Sequence, residues 1–305
     1  MYGDRNVPKH STGMKSIVWV ILCLIWGTTW IFIKIGLEDL PPITFAVARF
    51  VLAAMMLLPI IYILKTPWPQ NWAQWRLMAF TGLLQFTINY STVFWSEQYI
   101  TSGLAAVLQA TITVFGLALA WIFLPAERIT PLKIIAVLIG IGGVAVIFVD
   151  QLRVESTLAF VGSVAIVVGA YCAAQASILV KARAVGINPA VIVFTQMVCG
   201  LPPLIVYALV AEGSPFVHNW GLRAVGSVLY LSIAGTVAAF WLYYWLLARI
   251  ESTQAMMISL VTPLIAVVVG NIFLGEKLPP QTMVGGLLIL SSIGLIVIRK
   301  RSEKK

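Results

Sequence analysis

Ten stretches of this sequence are almost uncharged and long enough to cross a lipid bilayer, and that pattern constrains the fold more than any other feature. They cover residues 17–36, 42–64, 77–95, 100–123, 133–149, 157–180, 188–211, 224–247, 253–274 and 281–298. A helix needs about 20 apolar residues to span the hydrocarbon core. The whole chain is 60% hydrophobic and 10% charged, with a mean hydropathy of +0.97, whereas a soluble domain carries roughly 25% charged residues. Such a chain has nothing to cover its surface in water, so the bilayer is its solvent. Pro41-Pro42, Pro67 with Pro69, Pro131, Pro189 and Pro279-Pro280 punctuate the gaps, where helices stop and start. No stretch alternates apolar and polar residues as the strands of a membrane barrel do. The expected fold class is all-α and integral to the membrane, with ten transmembrane helices.

The cations set the expected orientation. Lys34, Arg153, Arg223 and Lys277 fall on one side of the runs and Arg49 within the second; the other lysines and arginines, including those between Arg299 and Lys305, fall on the opposite side. Cytoplasmic loops are enriched in Lys and Arg, so both termini are expected in the cytoplasm, residues 1–16 as a polar tail and 299–305 as a basic one. The net charge of +9 then reflects topology and anionic headgroups, with no nucleic-acid partner. The first run lacks an A-x-A-like cleavage site and reads as a retained helix. Trp68, Trp72 and Trp75 in PWPQNWAQWR are expected at the cytoplasmic interface. The three cysteines, Cys23, Cys172 and Cys199, have no metal or disulfide spacing and read as small buried core residues.

The two halves resemble each other. At an offset of 147, Lys34 aligns with Lys181, Pro42 with Pro189 and Arg49 with Gln196; at 150, Ile122-Phe123-Leu124 aligns with Ile272-Phe273-Leu274 and Ser102 with Ser252. Glu127 and Pro131 align with Glu276 and Pro280 after one residue drops out. Each half, 17–150 and 157–298, holds five runs. An odd number makes the second repeat enter the membrane from the opposite side, so the repeat is expected to be inverted. Inverted repeats recur in secondary transporters, with substrate near the midplane between them.

WGTTWIFIKIGLEDLPPITFAVARF resembles the opening signature of the drug/metabolite transporter superfamily in its ten-helix EamA-type branch. That signature has W-G and then a lysine in the first helix, P-P before the second, and A-x-x-R-F. The segments IFLPAERITP and IFLGEKLPP are similar to the family's F-L-x-E segment. The resemblance covers about residues 17–298 and implies two EamA domains that export amino acids or other small metabolites across a bacterial inner membrane.

Enzyme chemistry finds no footing, and no cofactor or metal is expected. His10 and His218 have no ligand spacing to another His, Cys or carboxylate, and GIGG at 140–143 reads as a close helix-packing surface, like Gly285-Gly286. All eleven acidic residues fall in tails, loops or helix ends, so no helix centre holds the carboxylate that proton-coupled transporters commonly use. The expectation is a facilitator or exchanger, or coupling by something unusual; Glu97 is the best remaining coupling candidate, its blander reading by depth being an interfacial or salt-bridging glutamate.

The substrate pathway is expected among polar and aromatic residues near helix centres. Trp26 and Trp30 recur with Lys34 every four residues on one face of the first helix. Gln85, Asn89 and Tyr90 lie in the third run, Gln109 in the fourth, Tyr171 and Gln175 in the sixth, Phe240, Trp241, Tyr244 and Trp245 in the eighth, and Ser259 and Thr262 in the ninth. Aromatic walls with a few polar anchors suit a small-molecule pocket; the bland alternatives are lipid-facing rings and amides that tie helices together. Lys34 sits close enough to the outer end to snorkel. Arg49 lies roughly 10 Å deep at about 1.5 Å per residue and cannot face lipid cheaply. Its role is either a gate or substrate contact, or a structural ion pair or carbonyl clamp, with Glu97, Glu38 and Asp39 as the nearest acids by depth.

The resulting expectation is a secondary transporter of small polar metabolites, amino acids foremost, working by alternating access. A carrier of nucleotide sugars, sugar phosphates or lipid-linked sugars would want more cations facing the cavity. A membrane receptor or enzyme would want a soluble domain or clustered catalytic residues.

Overall fold

The computed structural model describes residues 12–100, 102–152, 156–218, 220–274 and 280–302. The N-terminal tail with His10, the cation Arg153, residues 275–279 with Glu276, and residues 303–305 lie outside the described residues. The described regular structure is helical, with no strand. Helix α1 (Thr12–Leu37) is followed by α2 (Pro42–Ile63) and α3 (Trp72–Gly82), which runs through a π-helical segment, Leu83–Asn89, into α4 (Tyr90–Ser96). Helices α5 (Ser102–Gln109) and α6 (Ile112–Phe123) share the fourth apolar run, and α7 (Pro131–Ile147) is the fifth. The second half repeats this order. It comprises α8 (Thr157–Arg183), α9 (Pro189–Ala211), α10 (Leu222–Ser232) running through a π-helical segment, Ile233–Ala238, into α11 (Ala239–Leu247), then α12 (Ser252–Met256), α13 (Ile258–Leu274) and α14 (Pro280–Ser302).

Every apolar run is thus a helix or two helices joined. Among the described residues seven stretches combine the length and hydropathy of a membrane span, and Pro131–Ile147 and Pro280–Leu295 are shorter apolar helices. The helix starts follow from local chemistry. Pro42, Pro131 and Pro189 occupy first turns, where the missing N–H costs nothing. Thr130, Ser156 and Asn188 cap by accepting from the amides of Lys133, Ala159 and Ala190. Exposed Met55, Tyr62, Trp121, Leu138, Phe160 and Leu290 coat the outside, a surface suited to lipid and far larger in sum than a soluble monomer presents.

Polar contacts fix which helix ends meet. At the end called upper here, the amides of Ile43 and Thr44 donate to Glu212 at 2.8 and 2.6 Å, tying the start of α2 to the end of α9. At the lower end, Trp19 near the start of α1 donates to the carbonyl of Gln254 at 2.9 Å. The halves interlock: α1 packs on α13 and α8 on α6, α2 lies along α9, and α7 lies along α14. The last pair meets through the glycines expected to pack closely. A Cβ on Gly285 would sit 2.4 Å from the carbonyl oxygen of Gly143, and one on Gly143 would sit 2.7 Å from that of Gly285. Cys23 and Cys172 are buried and Cys199 half-buried, all as free thiols.

Candidate functional site

Arg49 is buried and bound to the second half of the chain. Its Nε donates to Thr236 Oγ1 at 2.8 Å and its Nη2 to the carbonyl of Gly235 at 3.0 Å. Both partners lie in the π-helical segment of Ile233–Ala238, whose widened turn leaves carbonyls free to accept from outside the helix. Trp26 Nε1 shares the same Gly235 carbonyl at 3.3 Å. Ser232 returns a bond to the Arg49 carbonyl at 2.9 Å. The guanidinium carbon lies 5.3 Å from the ring centres of both Phe50 and Tyr90, within cation–π range. A Cβ on Gly235 would come within 3.3 Å of Arg49 Nη2, so the glycine admits the cation. None of Glu97, Glu38 or Asp39 forms an ion pair with Arg49. Its repeat counterpart Gln196 is fully buried and does comparable tying, donating to Thr81 at 2.7 Å and accepting from Tyr244 at 2.7 Å.

Above and beside this clamp lies a cavity of about 180 Å³. Of the residues singled out from the sequence, Trp26, Trp30, Gln85, Asn89, Tyr90, Gln109, Phe240, Ser259 and Thr262 line it, together with Arg49 and Glu97. Gln109 donates to Asn89 Oδ1 at 3.3 Å. Two buried acceptor oxygens in the lining, Gln109 Oε1 and Glu97 Oε1, have no hydrogen-bond partner. An orphaned buried acceptor is costly and calls for a bound donor. Both broken helices border the cavity, through Gln109 and Ile112 in one half and through Met256 and Ile258 in the other.

Five of the expected residues fall elsewhere. Tyr171 is exposed on the outside of α8, edge-on to Phe115. Gln175 is half-buried off the lining, Trp241 and Trp245 pack against the core, and Tyr244 is buried in its bond to Gln196. The face of α8 that meets the cavity carries Ala173 and Ser177, and that of α11 carries Tyr243 with the expected Phe240. Thr29 was also missed, one residue from Trp30. Lys34 is exposed at the upper end of α1 and takes no part in the lining.

At the lower end charged contacts join the halves and form a candidate closure. Both carboxylate oxygens of Glu127 accept from the Ser252 amide, at 3.1 and 2.9 Å, and Oε2 accepts from its hydroxyl at 2.5 Å. Lys181 Nζ lies 2.5 Å from Glu127 Oε1 and also donates to the Ile250 carbonyl. Lys133 pairs with Glu251 at 2.8 Å. Glu127→Ala is expected to loosen this closure. The lost charge-assisted bonds contribute about 1.5–3 kcal/mol each, and about 1.4 kcal/mol is a tenfold population shift. In a background without Cys23, Cys172 and Cys199, a cysteine placed at Met256 should then react with a thiol reagent applied from the lower side about tenfold faster. An unchanged rate would show that the contact does not hold the end shut.

A helical bundle with an apolar exterior and an internal cavity bordered by a broken helix from each half has the build of a membrane solute carrier. The chain matches the profile described as "EamA-like transporter family" over residues 14–149 and again over 160–298, and it belongs to that family. It is 30% identical to an "Uncharacterized transporter" of Archaeoglobus fulgidus, over 93% of this chain and 99% of the relative. It is 24% identical to a "Probable amino-acid metabolite efflux pump" of Escherichia coli K12, over 93% of this chain and 95% of that one. A solved crystal structure superposes with a TM-score of 0.81 at 15% identity, covering 97% of this chain and 100% of the other, which shows a shared fold.

Proposed function

We propose that this chain is a secondary transporter that exports or exchanges small polar metabolites, amino acids foremost, across a cell inner membrane. It crosses the membrane ten times with both termini in the cytoplasm, so the upper end faces outward. Residues 17–150 and 157–298 are the two repeats, related by inversion, and transport proceeds by their rocking about the cavity. The cavity is the observation that carries this reading: aromatic walls of Trp26, Trp30 and Phe240 surround a few polar anchors, among them two buried oxygens without a donor. Broken helices and π-helical segments recurring in both halves support it, since transporters place substrate at interrupted helices. Among the described residues Arg49 is the one cation in the lining and is already engaged, which weighs against phosphate-bearing substrates.

Purified protein in proteoliposomes preloaded with unlabelled amino acids should exchange at least one of a labelled panel, seen as transient accumulation. Absence of counterflow for every member would overturn the amino-acid assignment.

A further inference from the structure

Glu97 sits in the turn just beyond α4, after the end of the third span, and its carboxylate lines the upper part of the cavity. Its Oε1 is buried without a hydrogen-bond partner, and among the described residues it pairs with no cation. The elements packed on α4 are α8, α2 and the first π-helical segment. Residues 157–170 of α8 and 83–89 of the π segment carry no ionisable side chain, and Arg49 is the only charge in α2. Arg49 lies at the level of Tyr90, and Glu97 is seven residues further up the helix, roughly 10 Å at about 1.5 Å per residue. The guanidinium is besides held by Gly235 and Thr236. Tyr90 and Tyr243 are the other titratable residues of the lining, Lys34 is exposed beyond it, and Glu38 is taken by Arg223. A carboxyl in such a place has two ways to be satisfied: hold a proton, or meet a cation brought from outside. Burial raises the Glu97 carboxyl to about 7, which makes the two states interchangeable near neutrality.

We propose that Glu97 is an exchange site at which a proton and the ammonium group of a substrate displace one another, coupling export of amine-bearing substrates to proton entry. This rests on reading the cavity as the substrate pathway. On exchange, the Glu97 O–H bond breaks, the proton leaves to water, and the ammonium takes the freed carboxylate through its N–H donors. The site stays neutral, one monovalent cation being traded for one proton. The aromatic walls of the same cavity, Trp30 and Phe94 among them, suit an ammonium carried on an apolar body, by burial and by cation–π attraction. Coupling through Glu97 departs from the facilitator or exchanger expected from the absence of a helix-centre carboxylate. The acid that sequence depth assigned to an interface is enclosed by its neighbours.

Two measurements test this on full-length protein in liposomes. The first needs no substrate: infrared difference spectra are recorded from about two pH units below neutrality to about two above. A protonated-carboxyl band should vanish with a midpoint of about 7 and be missing in Glu97→Gln. Identical titrations in both proteins would overturn the proton site. The second uses phenethylammonium as probe, with binding read from tryptophan fluorescence. Its apparent Kd should weaken about tenfold for each pH unit below the midpoint, because a proton occupies its place. Glu97→Gln should abolish that dependence and weaken binding at least about tenfold, while Glu97→Asp keeps the dependence. No binding to the native protein, or pH-independent binding, would overturn the ammonium site. Failure of every amino acid in counterflow, with the carboxyl band and the probe behaving as expected, would instead count against the amino-acid assignment alone.

Discussion

Arg49→Ala should unfold in detergent on the order of 10 °C below the native protein, and Arg49→Lys nearly as far. The arginine ties α2 to the second half through two charge-assisted bonds, to Thr236 and to the Gly235 carbonyl. Bonds to a charged donor contribute about 1.5–3 kcal/mol each, and a neutral acceptor left buried without its donor costs about 1–3 kcal/mol. Lysine offers one ammonium where the site wants two donors set at an angle, so it recovers part of the loss at most. Size-exclusion profiles and thermal melts check this. An Arg49→Ala protein that melts normally but no longer transports would assign Arg49 to the substrate rather than to the bundle.

Gly285→Val is the second substitution with a large expected effect. Its first carbon would stand 2.4 Å from the Gly143 carbonyl oxygen, a backbone atom that cannot rotate away. The helices must separate along the seam that joins the halves, and overpacking of this kind costs about 1–3 kcal/mol or more. Gly142→Ala is the matched control: nothing lies within 4 Å of the Cβ it would add, and the helix itself gains about 0.8–1 kcal/mol of propensity. Melting should fall for the first and hold or rise slightly for the second. Equal melting of both would mean that the glycine contact is not needed.

The helices were legible because they are written as long apolar runs, and the prolines at 42, 131 and 189 mark first turns as expected. Trp26 and Trp30 were legible because α1 is regular through them, so a four-residue spacing does mean one face. That bookkeeping fails in the eighth run. The π-helical segment of Ile233–Ala238 winds with more residues per turn, and of the aromatics there the face that follows carries Phe240 with Tyr243, while Trp241 and Tyr244 lie off the lining. In α8 the cavity face consists of Ala173 and Ser177, small residues that make space by their absence of bulk and give no chemical signal. Tyr171 and Gln175 drew attention through chemistry alone. The carbonyl clamp was foreseen as one of two roles for Arg49, but its partner was not, because Gly235 offers only backbone.

The glycine seam between α7 and α14 also has a history within the life of each molecule. Gly143 and Gly285 are separated by most of the second half of the chain, which a ribosome working at about 5–20 residues per second needs roughly ten to thirty seconds to make. During that interval α7 has been synthesised and its glycine face has no mate. The nascent first half must therefore be shielded by lipid, by the insertion machinery or by a transient neighbour until the final helix arrives. Completion of α14 is then the event that seals the molecule, and a ribosome that stalls before it leaves an open seam for quality control to read.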